Sequence, residues 1–275
     1  MNSSQEARIK GTDVDPAKMK ELIFQVAGHK TIRQDDERFL KFIYEDRYNG
    51  WWESYFYEEI APTLPALESF MPKYLGCAHL TDGDATKKYL ALEHITLDYK
   101  NPVVIDFKIG TQSYDYTANE AKIQKELAKF NKQEELGFRI SGKRSFNKHT
   151  REYHYQIQED LISTTPENFK DVMERYLFDG HKIRTKTGRL MIGRLQELLN
   201  WFENENDKYK FFGSTVLLIY DSDREDGEKW SVWFIDHAHV FIIRAPETRD
   251  NGVILGIKTI VKAIDEVCQE VEVQV

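Results

Sequence analysis

Cysteine is scarce in this chain: there are two in 275 residues, Cys77 and Cys268, far apart in the sequence. That pattern offers neither a disulfide framework nor a metal-ligand cluster, and it fits a reducing compartment. Long apolar runs are missing too. The longest, such as Val216 to Tyr220, last a handful of residues, against the ~20 a helix needs to span a bilayer. Residues 1–18 are polar, so no secretory leader is expected and the N-terminal 1–20 segment is expected to be frayed or disordered. The glycine patterns that cradle phosphates, GxxxxGK[ST] and GxGxxG, do not occur, and neither does the GxSxG of serine hydrolases. No internal repeat, heptad array or low-complexity tract is found.

What the chain does have is enough apolar material for a core. Apolar residues make up 41%, with 16 Phe, 14 Tyr and 5 Trp, which excludes disorder along the whole length. The net charge is −8, a poor balance for a general binder of nucleic acid. The acidity is uneven. Between Lys122 and Arg151 nine lysines and arginines stand against three acids, a balance of +6, which leaves −14 for the remainder. One basic patch on an acidic body points to a specific polyanionic ligand; a solvated helix face is the plainer alternative.

Hydrophobic periodicity places the elements. Strands are expected around Leu22–Val26, Arg38–Tyr44 and Lys88–Ile95, with a turn at Ala27-Gly28-His29 and a helix over Trp51–Ile60 that Pro62 stops. Pro102–Gly110 is the clearest strand: Val103, Ile105, Phe107 and Ile109 point one way, Val104, Asp106 and Lys108 the other. Thr117 and Glu120 read as a capping box opening a helix that runs to about Glu135. On that helix Lys122, Lys125, Lys129 and Lys132 share an arc of about 80°, and Ile123, Leu127 and Phe130 form a separate apolar stripe. Such a lysine row, with Glu126 offsetting only part of the repulsion, makes sense if an anion sits on it. Further strands are expected at Gly137–Arg144, Tyr153–Ile157, Ser214–Tyr220 and Trp230–Asp236, and helices at Asn168–Leu177, Gly188–Asn204 and Gly252–Val271.

The residues with chemical potential are Asp106 and Lys108 on one strand, the lysine row after it, and Asp236 ending a late strand. Phosphoryl transfer uses such parts: hard carboxylate oxygen for Mg²⁺, a cation beside the transferring phosphoryl, and several cations for a phosphorylated acceptor. A zinc site at His237 and His239 is the competing pattern, but the other six histidines are scattered.

The same residues carry a resemblance. Pro102-Val103-Val104-Ile105-Asp106-Phe107-Lys108-Ile109-Gly110 is similar, without a gap, to the PxxxDxKxG motif of the inositol polyphosphate kinases. Ser214-Thr215-Val216-Leu217 resembles the family's SSLL segment, Ile235-Asp236-His237-Ala238-His239 its IDFAH segment, and Tyr89 to Ile95 its YLxLED hinge. The four occur in family order over roughly residues 22–265. The resemblance implies an α+β, two-lobed protein-kinase-like fold, of the ATP-grasp or inositol polyphosphate kinase type. It would have a small β-rich N-lobe (21–95) and a larger C-lobe (96–275) carrying an inserted helical inositol-phosphate-binding segment at about 116–150. It implies ATP and Mg²⁺. Lys41 would hold ATP phosphates, Glu93 and Ile95 would meet adenine through the backbone, and Asp106 would bind the ribose. Asp236 would hold the metal, with Ser214 near the same phosphates. Lys108 would touch the transferring phosphoryl and the inositol phosphate, which Lys122, Lys129 and His239 also bind; Lys125 joins them on helical geometry alone. His94 and His237 depart from the hinge Asp and the Phe of IDFAH, and Thr215 stands for the second Ser of SSLL.

The abundance of cations then leans towards a hexakisphosphate kinase that makes diphosphoinositol products. The alternatives are a multikinase or trisphosphate 3-kinase acting on ring hydroxyls, and a non-catalytic inositol phosphate-binding module. A monomer is expected, acting on a soluble small molecule with neither nucleic acid nor membrane as partner, in the cytoplasm, with the nucleus as a second expected location.

Overall fold

In the computed structural model, residues 11–13, 20–21, 32–34, 37–44, 48–82 and 85–273 are described. The chain divides into two compact units, Met1–Asp98 and Tyr99–Val275. The expected strand at 22–26 and its turn at 27–29 lie outside the described residues.

In the first unit β1 (Gly11–Asp13), β2 (Lys20–Glu21), β3 (Ile32–Gln34), β4 (Arg38–Phe42), β5 (Tyr74–Asp82) and β6 (Ala85–Glu93) form a sheet in the order β1-β5-β6-β4-β3-β2. Leu40, Ala78, Tyr89 and Ala91 pack on one another as its core. Helix α1 (Tyr48–Tyr55) continues as a π-helical turn, Phe56–Ile60, and Pro62 closes it within a 3₁₀ turn, because proline supplies no N–H to extend the ladder.

The second unit is built on a five-stranded antiparallel sheet ordered β12-β11-β7-β8-β9. Its strands are β7 (Pro102–Ile109), β8 (Phe138–Asn147), β9 (Glu152–Ile157), β11 (Thr215–Asp221) and β12 (Trp230–Ile235); β10 (Tyr209–Phe211) pairs with β13 (Val240–Ile242). The alternation of β7 decides which face is core. Ile105, Phe107 and Ile109 are wholly buried. They face α4 (Phe169–Leu177) and α6 (Asn251–Val273), and the Phe107, Phe138 and Phe169 rings meet with centroids 4.7–6.0 Å apart. Helix α5 (Thr185–Asn200) packs on α6 and extends through a π-helical turn, Trp201–Glu205. The α6 backbone passes so close to Gly137 that a Cβ on Gly256 would stand 2.2 Å from the Gly137 carbonyl oxygen; only glycine permits that approach. No helix among the described residues is long and apolar enough to cross a membrane.

The segment after β7 differs from its expected form. Helix α2 spans only Glu120–Leu127, and a separate short α3 follows at Gln133–Leu136. The cap is Asn119, whose side chain accepts the Lys122 N–H, while Thr117 bonds to Asp115 instead. Asn and Thr both cap helices, and the nearby Asp115 carboxylate captures Thr117. Leu127 is 49% exposed, so the predicted apolar stripe does not pack as a unit; Phe130, beyond the helix end, is the residue that buries.

A polar knot stabilises the far end of this unit. Arg184 and Asp179, each 1% exposed, pair at 2.9 Å, and the guanidinium also donates to the Ser222 and Arg224 carbonyls. The Asp179 carboxylate also accepts the backbone N–H groups of His181 and Lys182.

Candidate functional site

The face of the second sheet opposite its helices carries the charged residues. Asp106 and Lys108 project from β7 on that face, both half-buried. The strands on either side are in register with them: Thr215 lies opposite Lys108 on β11, and Arg139 lies opposite it on β8. A bulge between Asp106 and Phe107 inserts Ser141 as an extra residue on β8, the kind of irregularity that re-aims a side chain. Asp106 then accepts hydrogen bonds from Thr215, whose hydroxyl is 3.4 Å away, and from Ser141.

Asp236 reaches the same place by leaving its strand. It follows β12 and has φ +65°, a left-handed conformation that Asp tolerates better than most residues and that clusters at functional sites. Ser214 fixes this turn: its hydroxyl donates to the Asp236 carbonyl at 3.1 Å and lies 3.4 Å from His237 Nδ1. His237 is buried between the Phe211 and Phe234 rings, so its imidazole does the packing expected of the Phe it replaces. Burial, and then the Asp236 charge, push the Asp106 carboxyl up to about 7, against the pull of the Lys108 ammonium. Two carboxylates that meet beside an ammonium make a place where a divalent cation and phosphate oxygens can be held. Lys108 is backed by Gly213, on which a Cβ would sit 3.6 Å from its Nζ.

The segment beyond β7 is tied to this face. Lys129 Nζ is 2.6 Å from Glu126, and the other oxygen of Glu126 is 3.7 Å from Arg139 Nη1. Arg139 in turn feels the Asp106 charge. The chain of charges from Lys129 to Asp106 therefore lies on one side of the sheet. His239, between β12 and β13, is held in a separate pair on the segment after β7: Nδ1 is 2.5 Å from Asp115, whose other oxygen accepts the Thr117 N–H and hydroxyl. Burial opposes ionisation of Asp115, but the bonds from His239 and Thr117 outweigh it and hold the carboxyl well below its usual range.

Several expectations need correction. Lys129 and Lys132 are not a bare row of cations; each pairs with an acid three residues away, Glu126 and Glu135. Lys122 and Lys125 make no ion pair among the described residues, and Lys125 is fully on the surface. Ser214 has no exposed surface and its hydroxyl is spent on the 236–237 turn, so it positions Asp236 rather than offering a ligand contact. Zinc gains no support: His237 and His239 point into different surroundings, and no metal-binding cluster of three His, Cys, Asp or Glu occurs among the described residues.

In the first unit Lys41 on β4 forms an ion pair with Glu53 of α1 at 2.7 Å, a strand lysine held by a helix glutamate as in protein kinases. Glu93 ends β6, where its N–H donates to the Lys73 carbonyl and its carboxylate accepts the Lys73 N–H. Ile95 sits in the turn that follows, and His94 Nε2 lies 2.8 Å from the Gln34 side-chain oxygen.

Residues 89–265 match the family model for inositol polyphosphate kinase. The chain belongs to that family. Among curated relatives, this inositol polyphosphate kinase is 32% identical over 162 residues to human inositol polyphosphate multikinase, covering 59% of this chain and 38% of the relative. It is 26% identical over 230 residues to mouse inositol hexakisphosphate kinase 3, covering 73% and 58%. The chain thus matches well under two thirds of the length of these relatives. The crystal structure of an inositol phosphate multikinase from S. cerevisiae, in complex with ADP and Mn²⁺, superimposes with a TM-score of 0.68 at 24% identity over 84% of this chain and 98% of that one. The two-lobed α+β kinase fold follows from this likeness. Three polar residues escaped the sequence reading: Arg139, Asp115 and Glu53. Arg139 offered the best signal, a basic residue on an expected strand that pairs beside β7 and sets it directly opposite Lys108.

Proposed function

We propose that this inositol polyphosphate kinase is an ATP-dependent, multikinase-type enzyme that phosphorylates ring hydroxyls of soluble inositol polyphosphates. The convergence of Asp106, Lys108 and Asp236 on one sheet face, with Arg139 and Lys129 beside them, is the observation that carries this proposal. A hexakisphosphate kinase is the second choice. The nine basic residues that favoured it are spread by the fold. Arg151 is spent on Asp223, Arg144 on the Pro102 carbonyl, Lys132 on Glu135, and Lys143 belongs to the other face of the sheet. Fewer cations are left for an acceptor bearing six phosphates, and the multikinase relatives are also the more similar ones.

Asp236 suits a divalent cation, which needs one or two carboxylates with phosphate oxygens and water completing its shell. When bound, Mg²⁺ supplies charge neutralisation on the nucleotide phosphates. In this scheme Lys41 holds the phosphates of ATP, Glu93 and Ile95 meet adenine, and Asp106 receives the ribose. Lys108 lies between donor and acceptor. Arg139, with its buried Nε lacking a hydrogen-bond partner, joins Lys122, Lys129 and His239 in seating the acceptor's phosphates. An acceptor hydroxyl oxygen attacks the γ-phosphorus in line, the bond to the β–γ bridging oxygen breaks to release ADP, and the hydroxyl proton is lost to a phosphoryl oxygen or to water. Positioning and charge neutralisation do most of the catalysis. Incubation with ATP, Mg²⁺ and inositol tris-, tetrakis-, pentakis- and hexakisphosphate, followed by anion-exchange separation, tests this. New monoesters from the tris- and tetrakisphosphates are expected. Turnover of the hexakisphosphate alone would return the assignment to the diphosphate-forming class.

A further inference from the structure

Lys143 is a buried cation that the kinase site does not use. It stands opposite Ile105 on β7 and Gln156 on β9, and so projects to the face of the sheet away from Asp106 and Lys108. Only 3% of its surface is exposed, and among the described residues it has no ion pair or side-chain hydrogen bond. A second cation, Arg175 on α4, acts on it; burial first, and then Arg175, push the Lys143 ammonium down to about 8. An ammonium buried without a counter-ion is costly, and a neighbouring guanidinium adds to the cost.

Both cations open into space. A cavity of about 250 Å³ is lined by Lys143, Arg175, Ser145, His154 and Gln156, with the backbone of Gly180 at its edge. A smaller one of about 60 Å³ adjoins it, sharing Lys143, Gln156 and Arg175 and adding Ser163, Thr164 and Asn168. Asp160 lines the smaller cavity, and its carboxylate accepts the Ile157 N–H. The charged side chains on the walls are two cations, Lys143 and Arg175, against one acid, Asp160. The larger volume lies just below the ~300 Å³ at which pockets for drug-sized ligands begin, which suits a small anion.

We propose that Lys143 and Arg175 form a second anion site, on the helix-packed face of the sheet, for a molecule bearing a phosphate monoester. The buried lysine supplies a fixed point charge, the surface arginine a planar fork matched to phosphate oxygens, and His154, Ser145 and Gln156 further hydrogen-bonding groups. This proposal stands apart from the kinase assignment, since none of these residues belongs to the Asp106 face.

Inorganic phosphate is the first probe, read by the thermal unfolding midpoint in phosphate against chloride at matched ionic strength. Ligand that binds the folded state raises the midpoint. Wild type is expected to gain several degrees from phosphate, whereas Lys143→Met gains at least tenfold less apparent affinity and, in chloride, unfolds no lower than wild type. Arg175→Ala, a surface change, keeps the test open should Lys143→Met fail to fold: its phosphate response should fall at least tenfold with basal kinase turnover unchanged. A second arm uses phosphatidylcholine vesicles with and without phosphatidylinositol 4-phosphate. Co-sedimentation that needs both the phospholipid and Lys143 assigns the phosphate to a lipid headgroup; a response to inorganic phosphate alone assigns it to a free solute. Equal phosphate and vesicle responses in wild type and both variants, or none in any of them, overturn the proposal.

Discussion

Lys108→Ala and Asp236→Asn should each cut phosphoryl transfer to an inositol polyphosphate by about 10³-fold or more, while the protein still folds. Both side chains sit half-buried at the open face of the second sheet. Neither anchors the aromatic core, which lies on the other face around Phe107, Phe138 and Phe169. Removing one preorganised charge from a site of this kind typically costs 10²–10³ in turnover, and a charge that meets the transferring phosphoryl itself about 10³–10⁵. The Asp236 substitution keeps the size of the side chain and its left-handed backbone, which Asn also tolerates, so its effect reports charge. Steady-state turnover with radiolabelled ATP, alongside the thermal midpoint, checks both. Turnover within tenfold of wild type in either variant would remove that residue from the machinery.

Arg184→Met should lower the stability of the second unit by about 3–5 kcal/mol, the range seen when one member of a buried pair is removed. Its partner explains the size. Asp179 is 1% exposed; burial works against its ionisation, but the Lys182 and His181 N–H groups and Arg184 hold the carboxyl below its usual value. Without Arg184 that carboxylate stays buried, and the Ser222 and Arg224 carbonyls lose their donor. Urea denaturation provides the measurement. The double variant Arg184→Met, Asp179→Ala should recover part of the loss, because it removes the stranded charge. A single-variant cost under about 1 kcal/mol would show that water reaches this pair.

The alternation of Pro102–Gly110 was enough to place Asp106 and Lys108 on one face, because a strand's period of two leaves no freedom once Ile105 and Phe107 are committed to the core. The late strands were legible for the same reason. The lysine segment was not. Helical arithmetic assumes an unbroken helix, and the chain breaks between Leu127 and Gln133, where Phe130 turns inward to bury. A local periodicity cannot register that tertiary demand. The acids that neutralise Lys129 and Lys132 were visible at i−3 and i+3, yet their pairing depends on rotamers that spacing does not fix. Arg139 and Asp115 went unseen for a different reason: each acquires its place through a partner far along the chain, Lys108 across the sheet and His239 after β12.

The shared electrostatics of Asp106, Lys108 and Asp236 can be measured directly by following the Asp106 carboxyl carbon by NMR through a pH titration. In the free protein it should titrate near 7, remaining protonated about three units above the ordinary carboxylate range. Asp236→Asn removes a neighbouring negative charge and should bring that midpoint down, though burial keeps it above the ordinary range; Lys108→Ala removes a positive charge and should move it up. An Asp106 that titrates near 4 and ignores both substitutions would mean that the three groups do not meet, and the phosphotransfer site would have to be sought elsewhere.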